Sequence, residues 1–262
     1  MPDAAPISPL SRPARPVDAV TERLRADLLA GRFREHLPAE RQLAAALGVS
    51  RLTLRAALAR LEAEGLVRAR QGEGVRVLDW LEHGHVTLLA HLDLAARPEL
   101  ARSFLELRRA VAVDAVARAC ERASDAELDS LASLAAAQEQ EQDPARYRAR
   151  DLAFARAVLV AAKSFAALLV MNALVPVYEA HPALAEALVA DRAASLAGYA
   201  LTLALLRAKD GDAAREVLRA ALELADEAVL RRLAPPSGAR SGRRSTRAPS
   251  SPRQARRTGA TR

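Results

Sequence analysis

Between Gly48 and Ser50 the chain leaves one residue, Val49, in which to end one helix and begin another. The helix before it is AERQLAAALG, which follows Leu37 and Pro38 and stops at Gly48, a residue free to take the left-handed conformation that closes a helix. The helix after it reads SRLTLRAALARLEAEG, from Ser50 to Gly65. Ser50 is a natural N-cap and Gly65 a natural terminator. Leu54, Ala57, Leu58 and Leu61 recur at i, i+3, i+4 and i+7, so one stripe is apolar and packs on a core. Arg51, Thr53 and Arg55 flank that stripe in the first turns, and Leu52 and Ala56 lie on the far side. Packing asks for none of them, so something outside the domain is expected to meet that end.

The flanking segments complete a small unit. Val17 to Ala30 is amphipathic through Val20, Leu24 and Leu28 and stops at Gly31. After Gly65 the period changes: in LVRARQGEGVRVL, Val67 and Ala69 alternate, the chain turns over Gly72 to Gly74, and Val75 and Val77 resume, which is a hairpin. Three helices with a tight turn between the second and third, followed by a hairpin, make a winged helix-turn-helix over residues 17–78. The fold class is mainly α, because from Trp80 onward no comparable strand signal occurs and a domain at 79–233 reads as a bundle of about seven helices. Its segments fall near 86–96, 99–122, 124–142, 145–162, 164–180, 183–210 and 212–233. Pro98, Pro182, Gly211 and a capping box formed by Ser124 with Glu127 punctuate them.

The ends differ from the body. Residues 1–16 are proline-rich and aperiodic, expected to be a flexible arm, and 234–262 hold Pro, Ser, Gly and Arg with almost no large apolar side chain, expected to be disordered. That tail carries eight arginines and no acid, so a chain of net charge +7 has only −1 in residues 1–233. The basic excess sits at the ends, and the tail is expected to add salt-sensitive, non-specific affinity for a polyanion. All but Lys163 and Lys209 of the 39 basic residues are arginine, a bias that reads as genome composition, so only arginines at special positions are read as chemistry. Cys120 is the only cysteine, which excludes an intrachain disulfide and a cysteine-based zinc site. The start has no continuous apolar stretch and no membrane-length apolar run follows, so a cytoplasmic protein with no membrane partner is expected.

A helix-turn-helix sends its second helix into the major groove, with N-terminal residues on base edges and surrounding basic groups on phosphates. Arg51 and Arg55 carry forked donors suited to guanine O6 and N7 or to phosphate, Thr53 can donate to a phosphate oxygen, and Arg41 opens the second helix where it can clamp a phosphate. Gln71 and Gly72 stand at the wing tip. Arg60 and Arg68 are read as solvating a surface.

LPAERQLAAALGVSRLTLRAALARLEAEGLV followed by QGEGVRV resembles the signature of the GntR family of bacterial transcription regulators. The resemblance implies operator contacts by Arg41, Ser50, Arg51, Thr53 and Arg55, with Gly72 at the wing. Leu52 departs from it, at a position often polar in relatives, and Gln71 stands where the FadR regulator has histidine. The helical half, with ELRRAVAVDAVARA, resembles the FadR-type branch, whose seven-helix FCD domain binds an effector. Most members hold a metal there through a D-x-x-F-H motif and later histidines. Here the motif reads DLAFA: Asp151 remains, Ala155 replaces histidine, the next ligand position falls at Tyr199 or Ala200, and the last at Ala221 or Glu223. No metal or other cofactor is therefore expected.

The resemblance then points to the regulator that gives the branch its name, which also lacks the metal set, has a Trp after the wing as Trp80 is here, and binds long-chain acyl-CoA. SFAALLVMNALVPVY and SLAGYALTLALL would line an apolar interior, or serve simply as bundle core. Arg108, Tyr178 and Tyr199 match polar positions of that effector domain and are the candidates for orienting a ligand head group, with a salt bridge between helices as the other reading of Arg108. The chain is thus expected to be a homodimeric regulator of double-stranded operator DNA, responsive to an acyl-CoA or similar amphipathic acid. The alternative is a ligand-independent architectural protein that uses the bundle only to dimerise. An enzyme is not expected, since no nucleophile elbow, P-loop, dinucleotide fingerprint or metal triad occurs.

Overall fold

The computed structural model describes residues 16–70, 72–94 and 96–234. Of the arm expected at 1–16 all but Pro16, of the tail expected at 234–262 all but Ala234, and with them Gln71 and Ala95, lie outside the described residues. Helix α1, Pro16–Leu29, buries Val20, Leu24 and Leu28, and Gly31 follows with φ +70°. Helix α2, Glu40–Leu47, ends on Gly48 in the left-handed conformation, and the Val49 amide reaches back 3.0 Å to the Ala44 carbonyl. That closure lets α3, Arg51–Ala63, start at once. The Ser50 hydroxyl accepts from the Thr53 amide at 3.1 Å, and Leu54, Ala57, Leu58 and Leu61 are all buried. Strands β1, Val67–Arg70, and β2, Gly74–Val77, pair antiparallel with Val67 opposite Val77 and Arg70 opposite Gly74. The segment before α2 runs along β2 as a further edge: the Leu37 amide donates to the Val75 carbonyl at 2.9 Å and the Val77 amide to the Glu35 carbonyl at 2.8 Å.

Helix α4, Trp80–His83, is one turn capped by Asp79. The helix expected at 86–96 is only a 3-10 helix, Val86–His91. Leu92 and Leu94 are buried on either side of exposed Asp93, an alternation of period two that belongs to extended chain. The Asp93 carboxylate then accepts from the Ala96 amide. Seven α-helices follow among the described residues: α5, Pro98–Arg122; α6, Asp125–Gln140; α7, Pro144–Ala161; α8, Phe165–Ala180; α9, Pro182–Val189; α10, Arg192–Ala208; and α11, Gly211–Leu233. The number agrees with the sequence reading, but the division does not, because 183–210 is two helices. Asp191 caps the second by accepting from the Ala194 amide at 3.0 Å. The break frees Arg192 to donate to the Glu139 carbonyl at 2.6 Å and the Gln138 carbonyl at 3.3 Å at the end of α6. The capping box of Ser124 and Glu127 forms as expected.

Two apolar clusters make the core. One is continuous from α1–α3 and the hairpin, through Leu88, Leu92 and Leu94, to Phe104, Leu105, Leu174, Val177, Leu184 and Val229 in the bundle. The other fills the far half, around Val116, Cys120, Leu131, Phe154, Leu159, Tyr199 and Leu218. Helices α5 and α11 form the most extensive pair, closed at one end by Gly211, where a Cβ would lie 2.9 Å from the Ala117 carbonyl oxygen. Among the described residues no single helix is long and apolar enough to cross a membrane.

Candidate nucleic-acid interface and effector site

The buried stripe of α3 turns its opposite edge outward. Arg51, Leu52, Arg55, Ala56 and Ala59 are all exposed, with Leu52 at 80 %. Ser50 is exposed and Thr53 half-buried, and their hydroxyls lie 2.9 Å apart, which fixes the Thr53 rotamer at the helix entrance. Arg55 lies 3.9 Å from Glu40 in the first turn of α2, beside exposed Arg41. A loose, solvated pair of this kind contributes about 0 to 1 kcal/mol, so the Arg55 guanidinium is readily surrendered to a stronger anion. At the wing, Gly72 and Gly74 both have φ +83°, and a Cβ at either would meet nothing among the described residues. Gln71, the other residue picked there, lies outside the described residues. The structure therefore gathers Arg41, Ser50, Arg51, Thr53 and Arg55 around the α2–α3 entrance, with Gly72 at the hairpin's far end.

Arg60 is engaged elsewhere, donating to Asp18 on α1 at 2.6 Å. Arg68 is exposed, as a solvated surface residue is. It stands directly opposite Arg76 across the hairpin, both exposed. Like charges directly opposed are unfavourable on a sheet, and an incoming anion would relieve them. The signal for this pair was the register, which follows once Gly72 to Gly74 are taken as the turn.

Inside the bundle the three head-group candidates fall at two linked places. Arg108 on α5 lies 3.7 Å from Asp226 on α11, and neighbouring Arg109 donates to the other oxygen of that carboxylate. Burial raises the Asp226 carboxyl above its usual range although both arginines oppose this. The Arg108 Nη1 and Asp226 Oδ1 are buried without a hydrogen-bond partner, so the salt bridge foreseen for Arg108 exists but is slack. Tyr178 on α8 packs edge-on against Phe104, with ring centroids 5.5 Å apart. Its phenol is raised by burial, with Arg108 pulling the other way and the Asp151 carboxylate adding to the rise.

Tyr199 on α10 is buried against Phe154, donates to Asp151 Oδ1 at 2.5 Å and accepts from Gln138 Nε2 at 3.4 Å. Burial, and then the Asp151 carboxylate, push its phenol far above the usual tyrosine range, so it remains a donor. Gln138 is oriented by its bond to the Tyr147 carbonyl at 2.9 Å, and Arg192 stacks on the Tyr147 ring. That leaves Gln138 Oε1 and the Tyr147 hydroxyl buried without partners. Neither residue was singled out by sequence reasoning, because a glutamine and a tyrosine on helices of ordinary pattern carry no local signal. Two open depressions, about 380 and 520 Å³, run along the outer seam of α5 and α11; the larger reaches Asp226, and neither is lined by Tyr178 or Tyr199.

Residues 16–77 match the family described as bacterial regulatory proteins, gntR family, and residues 103–224 match the FCD domain. HTH-type transcriptional regulator Mce2R of Mycobacterium tuberculosis is 36% identical over 179 residues, 66% of this chain and 74% of that protein. The chain belongs to the GntR family. As a GntR protein it is a DNA-binding transcriptional regulator with an FCD effector-binding domain. A fatty acid metabolism regulator from Enterobacter is 32% identical over 100 residues, 37% of this chain and 42% of that one. The structure of Lar from Listeria monocytogenes shares the fold, with TM-score 0.56 and 19% identity over 82% of this chain and 96% of its own.

Against the metal that many FCD domains hold, this GntR chain offers an unsuitable donor set. Asp151 is bonded to a phenol, Tyr199 is the residue that faces it while Ala200 is exposed, and Glu223 lies at the surface 3.9 Å from Arg109. Among the described residues no three of His, Cys, Asp and Glu come together to hold an ion. One carboxylate does not retain zinc.

Proposed function

We propose that this GntR regulator binds a palindromic operator as a homodimer, and that a long-chain acyl-CoA or related amphipathic acid in the helical domain weakens that binding. The observation that carries the reading is the asymmetry of α3: one face is sealed in the core, while the end bearing Arg51 and Arg55 is left exposed beside Arg41. Arg51 and Arg55 take base edges or phosphates, Arg41, Ser50 and Thr53 take phosphates, and Gly72, with Gln71, lets the wing approach the backbone. Arg68 and Arg76 gain an anion between them. A two-fold protein demands half-sites about one helical turn apart.

The effector reading is supported by the slack ion pair. An incoming carboxylate or phosphate would engage Arg108, whose Nη1 is buried without a hydrogen bond, beside Tyr178 and the apolar face of α8. Tyr199, whose single O–H is given to Asp151, would donate to the head group only by releasing that carboxylate. The test is fluorescence anisotropy of the full chain on a duplex that it selects from a random pool, at fixed salt, titrated with long-chain acyl-CoA and with free fatty acid. Release by acyl-CoA, abolished in Arg108→Ala while unliganded affinity stays the same, is the expected result. Affinity untouched by either compound overturns the acyl-CoA assignment and favours a constitutive DNA-binding protein.

A further inference from the structure

The most exposed large apolar side chain among the described residues stands at the entrance of α3. Leu52 is 80 % exposed, one residue inside the helix start, between Arg51 and Thr53. It fills no part of the core. The residues behind it on the same edge, Ala56 and Ala59 at i+4 and i+7, are also exposed and small, so nothing taller than Leu52 limits how closely this edge approaches a surface. Arg55, a turn further on, has its guanidinium in solvent. An apolar knob between cationic donors fits poorly with plain solvation, because a leucine gains nothing from water.

We infer that Leu52 reads a thymine methyl group in the operator. The inference rests on the reading that α3 enters the major groove. Within that groove the C5 methyl of thymine is the one apolar feature the base edges present; every other group is a hydrogen-bond donor or acceptor. Leucine has neither a donor nor an acceptor. Pressed against the amino group of cytosine or the oxygen of guanine, it would strip water from a polar group and return no bond, which is unfavourable. Against a thymine methyl it buries apolar surface on both sides. Leu52 therefore selects thymine by attraction and rejects the other bases by desolvation, while Arg51 and Arg55 supply the hydrogen bonds next to it.

The test separates the methyl from every other property of the base. A duplex selected by the full-length protein from a random pool is remade with each thymine replaced singly by deoxyuridine, which keeps base pairing and removes one methyl. Binding is measured by anisotropy for the wild type and for L52A. At one thymine per half-site the wild type loses about fourfold in affinity, the effect of one buried methyl group. L52A binds the thymine duplex about as weakly as the wild type binds the uracil one, shows no difference between the two, and keeps the melting temperature and salt slope of the wild type. If no replacement matters, or if L52A retains the discrimination, Leu52 is not the reader and the groove assignment of α3 stands. If no duplex is selected at all, that assignment fails and takes this inference with it.

Discussion

At the scale of single residues, Tyr199 shows how one side chain ties two helices together. Its hydroxyl is placed between a carboxylate that needs a donor and an amide that needs an acceptor, Asp151 and Gln138, so one phenol satisfies two helices at once. Phenylalanine keeps the ring against Phe154 and removes only the bond. Tyr199→Phe is expected to cost about 1 to 2 kcal/mol, the usual penalty for leaving a partly buried polar group unpaired. In a chain of this size that lowers the melting temperature by roughly 2 to 8 °C. Thermal unfolding of the two proteins checks it, and an unchanged or raised midpoint contradicts the role given to the hydroxyl. Little of this was legible beforehand. Asp151 stood out through a motif that had lost its histidines, and Tyr199 as a head-group candidate and one of two readings of a ligand position, with the alternative of Ala200 open until α10 turned Ala200 to solvent.

At the scale of elements, legibility followed the strength of local signals. Helix α3 was readable to the residue because cap, stripe and terminator agree, and each is realised: Ser50 accepts from Thr53, four apolar residues are buried, and Gly65 has φ +78°. The segment 86–96 was misread because leucines at 88, 89, 92 and 94 satisfy a helical and an alternating pattern alike, and only packing between two domains decides. Helices α9 and α10 were merged because an aspartate within an alanine- and leucine-rich run is a weak break until its side chain is seen to cap. Gly65 does more than its turn requires. A Cβ there would stand 2.0 Å from the His83 carbonyl oxygen, so α4 is seated directly on the end of α3. Gly65→Ala combines the left-handed penalty of about 1 to 2 kcal/mol with displacement of that backbone, and is expected to destabilise by about 3 kcal/mol or more. Circular dichroism melting checks it. A midpoint within 2 °C of the wild type, roughly the shift from 1 kcal/mol or less, would mean that the seat is soft.

At the scale of the whole molecule, the question is how an event in the bundle reaches α3, since an effector shifts operator binding only through arrangements that both sites sense. A continuous route exists. Helix α8 packs on the 3-10 segment, where the His181 Nε2 lies 3.2 Å from the Leu89 carbonyl. Leu88 from that segment is buried in the same cluster as Leu24 and Leu28 of α1. His91 lies 3.8 Å from Glu22 of α1, and Arg25 of α1 holds Glu64 at the end of α3 with two bonds of 2.6 and 2.7 Å. Proximity alone does not establish coupling, but it has a consequence that needs no effector. With one core crossing both domains, they should unfold together. Trp80, the only tryptophan, packs against that shared core at the junction and reports it by fluorescence, while circular dichroism reports the helices of both domains. In denaturant the two signals are expected to coincide. Leu88→Ala removes buried apolar volume where the domains meet, costs about 2 to 4 kcal/mol, and is expected to bring the fluorescence transition ahead of the circular dichroism one. Separate transitions in the wild type would show that the domains share surface without sharing stability, and the route from α8 to α3 would then lack the rigidity that transmission requires.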